Sequence, residues 1–206
     1  MFYGEALYKI YSVSDMFKMP PEHFGDNISE VASEVLQRRY EGAIDKDVGV
    51  VVAIFNVRDI SDGIIYPGDP ATHHNVDFDM LTYMPAVDEV VSGEVSELVE
   101  FGAFVRIGPM EGLVHVSQIA GEFLSFDKKV PAFISKKSGK NLKKGDDVLA
   151  KISTVSMKKT VKDSKIALTM KPDGLGKTEW ISQEGKGRKR EAGERRGKGG
   201  SGRSRR

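Results

Sequence analysis

From Val90 to Ile119 the chain reads as a succession of short apolar stretches broken by glycines at turn-like intervals, and this pattern restricts its fold more than any other feature. Such stretches are too short and too rich in β-branched residues for helices, and read instead as strands. Together with two later stretches they give five strands at about 90–99, 102–107, 112–116, 147–156 and 164–170. Five strands of this length can close a small barrel without leaving long free edges. Gly93 and Gly102 fall inside strand-like sequence, where a missing side chain permits the bend or bulge that a tight barrel needs.

The preceding segment has a different grammar. Residues 2–13, rich in aromatic and branched side chains, read as a long strand ending before Pro20-Pro21. Asn27 stands three residues before Glu30, the spacing of a helix cap with its reciprocal carboxylate, so a helix is expected from Ile28. Ile28, Val31, Ala32, Val35, Leu36, Tyr40, Ala43 and Ile44 continue it as one apolar stripe, with Gly42 a weak point near the end. Val48 to Val57 reads as a buried strand, 61–70 as turns around Ile64-Ile65-Tyr66, and His74 to Tyr83 as a further strand. The expected architecture is an α+β N-terminal sheet-plus-helix domain over 1–85 followed by an all-β five-stranded barrel over 86–171. A short closing segment over 172–184 contains the single tryptophan, Trp180, and a basic Gly/Arg/Lys tail over 185–206 is expected to be disordered.

Charge divides the chain the same way. The formal net charge of +1 is the residue of about −8 over 1–85, +1 over 86–184 and +8 over 185–206. An acidic first domain is a poor phosphate ligand, so nucleic acid should meet the barrel or the tail, and the first domain needs another explanation. With no cysteine in the sequence, disulfides, zinc-thiolate sites and thiol catalysis are excluded. No apolar run is long enough to span a bilayer and no secretion signal is read at the N-terminus, so a cytoplasmic protein without membrane contact is expected.

Phe101 and Phe104 bracket Gly-Ala and, with His115, are candidates for a flat aromatic surface on which unstacked bases lie; the alternative is that they fill the barrel. Seven lysines between 128 and 144, Lys143 and Lys144 among them, come without an intervening acid and suit a phosphate backbone, or else a solvated loop. His73-His74 would point to opposite faces of a strand and completes no metal set. Neither clustered carboxylates, a phosphate-binding glycine loop nor a dinucleotide fingerprint is present, so the chain reads as a non-enzyme without cofactor or metal.

The motifs Gly93-Glu94-Val95, Phe101-Gly102-Ala103-Phe104-Val105, Gly112-Leu113-Val114-His115-Val116-Ser117, Lys144-Gly145-Asp146 and Ile166-Ala167-Leu168-Thr169-Met170-Lys171 resemble, in that order, the ribosomal S-one type of OB domain. The resemblance implies an RNA face carrying Phe101, Phe104 and His115, with Lys165 at a basic position entering the last strand. A family aspartate has only a loose counterpart in Asp163. An acidic α/β domain with Pro20-Pro21-Glu22-His23-Phe24-Gly25 before its helix, directly followed by such a barrel, is similar to the E-prime family of archaeal RNA polymerase stalk subunits. That resemblance implies a non-catalytic subunit forming a heterodimer with the smaller, F-type stalk subunit and docked on the polymerase core, its barrel reaching toward the emerging single-stranded transcript. It places docking in tip loops, with Pro20, Pro21, Gly63 and Tyr66 as candidates.

A second reading from another class is a stand-alone RNA-binding protein or RNA chaperone associated with ribosomes, which needs no particular N-terminal domain. A translation-factor subunit with the same barrel has the reverse domain order and ranks third.

Overall fold

A computed structural model of the chain describes residues 7–158, 160–161 and 163–182. The start of the expected first strand and the basic tail lie outside the described residues. The chain forms two compact units, one of residues 1–89 with 154–165 and the other of 90–153 with 166–206.

The first unit contains β1 (Tyr8–Met19), a 3-10 turn (Pro21–His23), α1 (Ile28–Tyr40), β2 (Ile44–Asp45), β3 (Gly49–Arg58), β4 (Ile64–Ile65) and β5 (Thr72–Tyr83). Its strands run in the order β1-β5-β3-β2, with β4 also paired to β5, and every pairing is antiparallel. β5 is therefore inserted between β1 and β3, and α1 crosses one face of the sheet. Phe17, Leu36, Val51, Ile54, Val76 and Phe78 form the centre of the apolar layer between helix and sheet.

β1 extends to Met19, six residues beyond the expected limit at Val13. Ser14-Asp15 has turn-like composition, but these residues are held by cross-strand bonds. Ser12 donates to Asp79 (2.7 Å) and Ser14 to Asp77 (2.6 Å), while Phe17 and Met19 turn into the core. α1 starts at Ile28 as expected. Asn27 Oδ1 accepts from the Ser29 backbone N–H (3.0 Å), and Glu30 accepts from the Asn27 side-chain amide (3.3 Å). The helix stops at Tyr40, short of Ala43 and Ile44, because Gly42 adopts φ +80° and Ile44 pairs with Val50 in a new strand.

The uncovered face of this sheet carries a polar knot. Asp79 accepts from Asn56 (2.7 Å) and Ser12 (2.7 Å), and Arg58 lies 3.0 Å from it. The pairing of β3 with β5 shifts register between Phe55 and Arg58, where Asn56 has φ +53°, and this bulge brings Asn56 and Arg58 to the carboxylate. The hydrogen bonds from Asn56, Ser12 and Arg58 hold the Asp79 pKa down at about 2.

The second unit is an OB-like barrel of β6 (Val90–Val99), β7 (Gly102–Ile107), β8 (Met110–His115), β12 (Asp147–Ser156) and β13 (Lys165–Thr169). β6, β7 and β8 form a meander; β13 runs parallel to β8, and its pairing with β12, which returns to β6, closes the barrel. Val95, Val105, Val114, Ile152 and Leu168 are buried inside. The strands match the expected five to within about two residues.

The glycines act differently from the expectation. The bulge between β6 and β7 lies between Val95 and Glu97, whereas a Cβ on Gly93 would stand 2.5 Å from Arg106 O and one on Gly102 2.3 Å from Val114 O. Both permit close approach of neighbouring backbones. Between β8 and β12, where only a lysine-rich connection was expected, lie α2 (Val116–Ile119) and a small sheet of β9 (Ser125–Asp127), β10 (Ala132–Ile134) and β11 (Asn141–Lys143). Finally β14 (Gly176–Lys177) pairs with β12, Lys177 bonds to Asp146 (3.0 Å), and Trp180 is buried.

Two outcomes follow from this packing. Gly102→Ala forces a methyl against a backbone oxygen that cannot swing away, so it should lower stability by about 1–3 kcal/mol in urea unfolding, whereas Gly121→Ala, with open space around it, should not. Asp79 has a folded-state pKa below its unfolded value, so its contribution is present above about pH 4 and lost as pH falls through about 2. Thermal midpoints recorded across that window should decline more steeply for the native chain than for Asp79→Asn.

Candidate nucleic-acid interface

The outward face of the barrel is set by strand alternation. On β7 the inward residues are Ala103, Val105 and Ile107, which sends Phe104 and Arg106 outward. Register places Phe104 opposite Leu113 of β8 and Glu97 of β6, and Gly102 opposite His115. Phe101 sits in the turn before β7 and is 52% exposed. The three sequence candidates Phe101, Phe104 and His115 therefore gather around Gly102, with Phe101 and Phe104 ring centroids 6.4 Å apart.

They do not form the expected flat surface. The two phenyl planes stand at 83°, edge to face, because Phe101 belongs to a turn and Phe104 to a strand. A base can lie on one ring and meet the edge of the other, but cannot stack on both. His115 caps α2: the Ser117 backbone N–H donates to its Nδ1 (3.3 Å), and the Ser117 hydroxyl lies 2.8 Å from the same nitrogen. With Nδ1 an acceptor, the neutral ring carries its hydrogen on Nε2, where it can be donated to a ligand. His115 thus has a structural duty besides any role in binding.

The cations are dispersed. Lys165 is the first residue of β13, next to Ile166, which pairs with Gly112. Thr169, four residues later, reaches the level of His115, so Lys165 lies about 13 Å from it along the strand. Lys143 ends β11, and Lys144 begins the turn in which the Lys143 backbone N–H donates to Asp146 (2.8 Å) and the Gly145 N–H to Val95 O (2.8 Å). Both lysines are exposed, but they belong to the turn that joins the small sheet to β12. Lys128 pairs with Glu100, beside Phe101, and Lys140 stands over the Trp180 ring at 5.4 Å. Asp163 bonds to the Thr160 hydroxyl (2.7 Å).

Arg106 was missed by the sequence reading, although the alternation that turns Phe104 outward also exposes it. It stands in register between Glu94 and Glu111, which temper its positive charge.

In the first unit the docking candidates converge through β5. Met19 and Ile65 are both register partners of Thr72, so the segment after β1, with Pro20 and Pro21, and the loop containing Gly63 and Tyr66 share one end of the sheet. Lys18 bonds to Asp69 (2.7 Å), Asp69 to His73 (3.0 Å), and Tyr66 meets the His73 ring edge-on at 4.9 Å. These bonds, with Lys18 first, hold the Asp69 pKa down at about 2. Ile64, Ile65 and Tyr66 are exposed at this tip, Ile65 by 65%. His74 instead faces inward, stacked on Phe17 and bonded to Ser61 O (2.9 Å) and the Thr72 hydroxyl (2.8 Å). Among the described residues no cluster of His, Asp and Glu could hold a metal, and no helix is long and apolar enough to cross a membrane.

Comparison with known proteins agrees with both units. The family model described as the SHS2 domain found in N terminus of Rpb7p/Rpc25p/MJ0397 matches residues 14–70, and that of the S1 RNA binding domain matches residues 84–165. The DNA-directed RNA polymerase subunit Rpo7 of Sulfolobus acidocaldarius is 43% identical over 178 residues, covering 86% of this chain and 97% of that one. Its counterpart in Saccharolobus solfataricus is 44% identical over 177 residues, covering 86% and 98%. More distantly, the DNA-directed RNA polymerase II subunit rpb7 of Dictyostelium discoideum is 26% identical over 136 residues, covering 65% and 78%. With this identity running along nearly the whole length of its archaeal relatives, the chain belongs to the Rpo7 family of DNA-directed RNA polymerase subunits.

Proposed function

We propose that the chain is a non-catalytic stalk subunit of a cytoplasmic RNA polymerase that holds emerging single-stranded RNA on its barrel. In this reading the first unit pairs with the smaller, F-type stalk subunit and docks on the polymerase core through its tip. The observation that carries the RNA role is the exposed Phe101 meeting the half-buried Phe104 beside His115 on a barrel of the S1 type. Phe101 meets Phe104 by its edge yet leaves half of its surface open, and base stacking on such a ring tolerates any sequence, as a transcript requires. Lys143, Lys144 and Lys165 supply positive charge at a distance from the rings, so they would track phosphates rather than sandwich a base.

Docking through the tip is supported by the joining of its two segments across Thr72 and by its exposed apolar residues on an otherwise acidic domain. Pro20, Pro21, Gly63 and Tyr66 would shape the surface, with Tyr66 the anchor.

Fluorescence anisotropy with labelled single-stranded RNA tests the barrel face. Phe101→Ala and Phe104→Ala should each weaken binding by about 1–3 kcal/mol if the ring stacks a base, and the logarithm of affinity should fall with that of salt at about −0.7 per phosphate neutralised. Unchanged affinity in the double variant would remove the barrel face from the proposal. A tagged chain expressed in its native cell should co-purify with polymerase core subunits and one small partner. Tyr66→Asp should lose the core by about 2 kcal/mol or more while retaining RNA affinity; RNA or ribosomes recovered without polymerase would favour a free RNA binder. The pure protein should neither cleave RNA nor turn over nucleoside triphosphates.

A further inference from the structure

Phe123 is 88% exposed, the most open large apolar side chain among the described residues, and neither the barrel face nor the tip uses it. It immediately precedes the small sheet of β9, β10 and β11. There Phe126, Phe133 and Leu142 are register partners on the inner face, and Leu124 is buried. Leu124 turns inward and leaves Phe123 open just before the strand, and Ser125 lies opposite Ile134 and donates to its carbonyl oxygen (3.1 Å). A cleft of about 270 Å³ is lined by Glu122, Phe123, Ser125, Ile134, Lys136 and Lys137. That volume is below the range of pockets for larger ligands and suits one flat ring.

The two lysines are carried on a fixed hairpin. Buried Ser135 accepts at its hydroxyl from the backbone N–H groups of Lys137 and Ser138 (3.2 Å each). The Gly139 N–H donates to Ser135 O (3.1 Å), and the Ser135 N–H to Lys140 O (2.8 Å). The one carboxylate in the cleft, Glu122, accepts from the Ser138 hydroxyl. Hydrogen bonds from Ser138 and Ser135, with Lys140 and Lys137 nearby, hold its pKa below the usual carboxylate value. Glu122 is thereby tied to the hairpin, and the segment from Lys128 to Lys144 still carries seven lysines and no acid.

We infer that Phe123 with Ile134, Lys136 and Lys137 is a second nucleotide-binding site for single-stranded RNA, separate from the Phe101 and Phe104 face. One base stacks on Phe123 against Ile134, and the lysines take the flanking phosphates. Charge complementarity selects the occupant: an open aromatic face beside a run of lysines matches a polyanion with flat bases, whereas an apolar protein surface would leave the lysines unpaired. The inference rests on the reading that this unit meets RNA.

The experiment uses the full chain and a fluorescein-labelled oligouridylate of about 15 nucleotides, near the upper span of one OB fold. Phe123→Ala should weaken binding about fivefold or more at low salt, and Phe123→Trp should restore it. Lys136→Glu with Lys137→Glu should weaken binding and flatten the salt dependence by about 1.4 in slope. Photocrosslinking with 4-thiouridine in the same RNA should mark the peptide containing Phe123. Native affinity in Phe123→Ala, with an unchanged melting profile, overturns the inference. So does intact RNA binding accompanied by loss of a co-purifying polymerase subunit, which would make the surface a protein contact. Loss in the Phe101→Ala, Phe104→Ala double variant alone keeps the barrel face and rejects this site; loss in Phe123→Ala alone does the reverse.

Discussion

The candidate RNA face depends on two strands coming closer than side chains allow. At Gly102 the β7 backbone lies so near Val114 that a single methyl would overlap its carbonyl oxygen, and Gly93 stands likewise against Arg106. This approach lets five short strands curve into a closed barrel whose inner residues are small or branched. It also determines what lies outside. Phe101 and Phe104 flank the bare stretch at Gly102, and His115 is its cross-strand partner, so the ring nitrogen opposite a glycine remains reachable. Curvature and the candidate binding surface thus have the same cause.

The first unit is organised around β5. As the central strand it separates β1 from β3, supports the layer under α1 through Val76 and Phe78, and fixes on its other face the Asp79 knot with Asn56, Ser12 and Arg58. It also brings two distant loops to one end, since Met19 and Ile65 both oppose Thr72. The proposed docking role rests on a domain that is acidic overall but ends in exposed Ile64, Ile65 and Tyr66.

Much of this was legible in the sequence for physical reasons. The barrel strands could be drawn because short β-branched runs are punctuated by glycines at turn-like intervals, and the start of α1 because Asn27 and Glu30 have the spacing of a cap. The end of α1 was less legible: Ala43 and Ile44 continue the apolar spacing, and only the φ of Gly42 and the pairing of Ile44 with Val50 end the helix. The last residues of β1 were not legible because the partners of Ser14 and Asp15, Asp77 and Tyr40, are remote in sequence. The small sheet escaped notice because strands of three residues carry too short a period to recognise, and its lysines obscured what remained.

The sequence by itself determined the order of the two domains, the residue types of the candidate RNA face and the separation of charge, because periodicity, glycine spacing and composition are local properties. Only the tertiary structure decided that Phe101 and Phe104 meet edge to face, that Lys165 lies far from His115, and that Phe123 stands open beside Lys136 and Lys137. Those relations depend on strand register and on the direction of each side chain, which are settled when remote segments pair and not before.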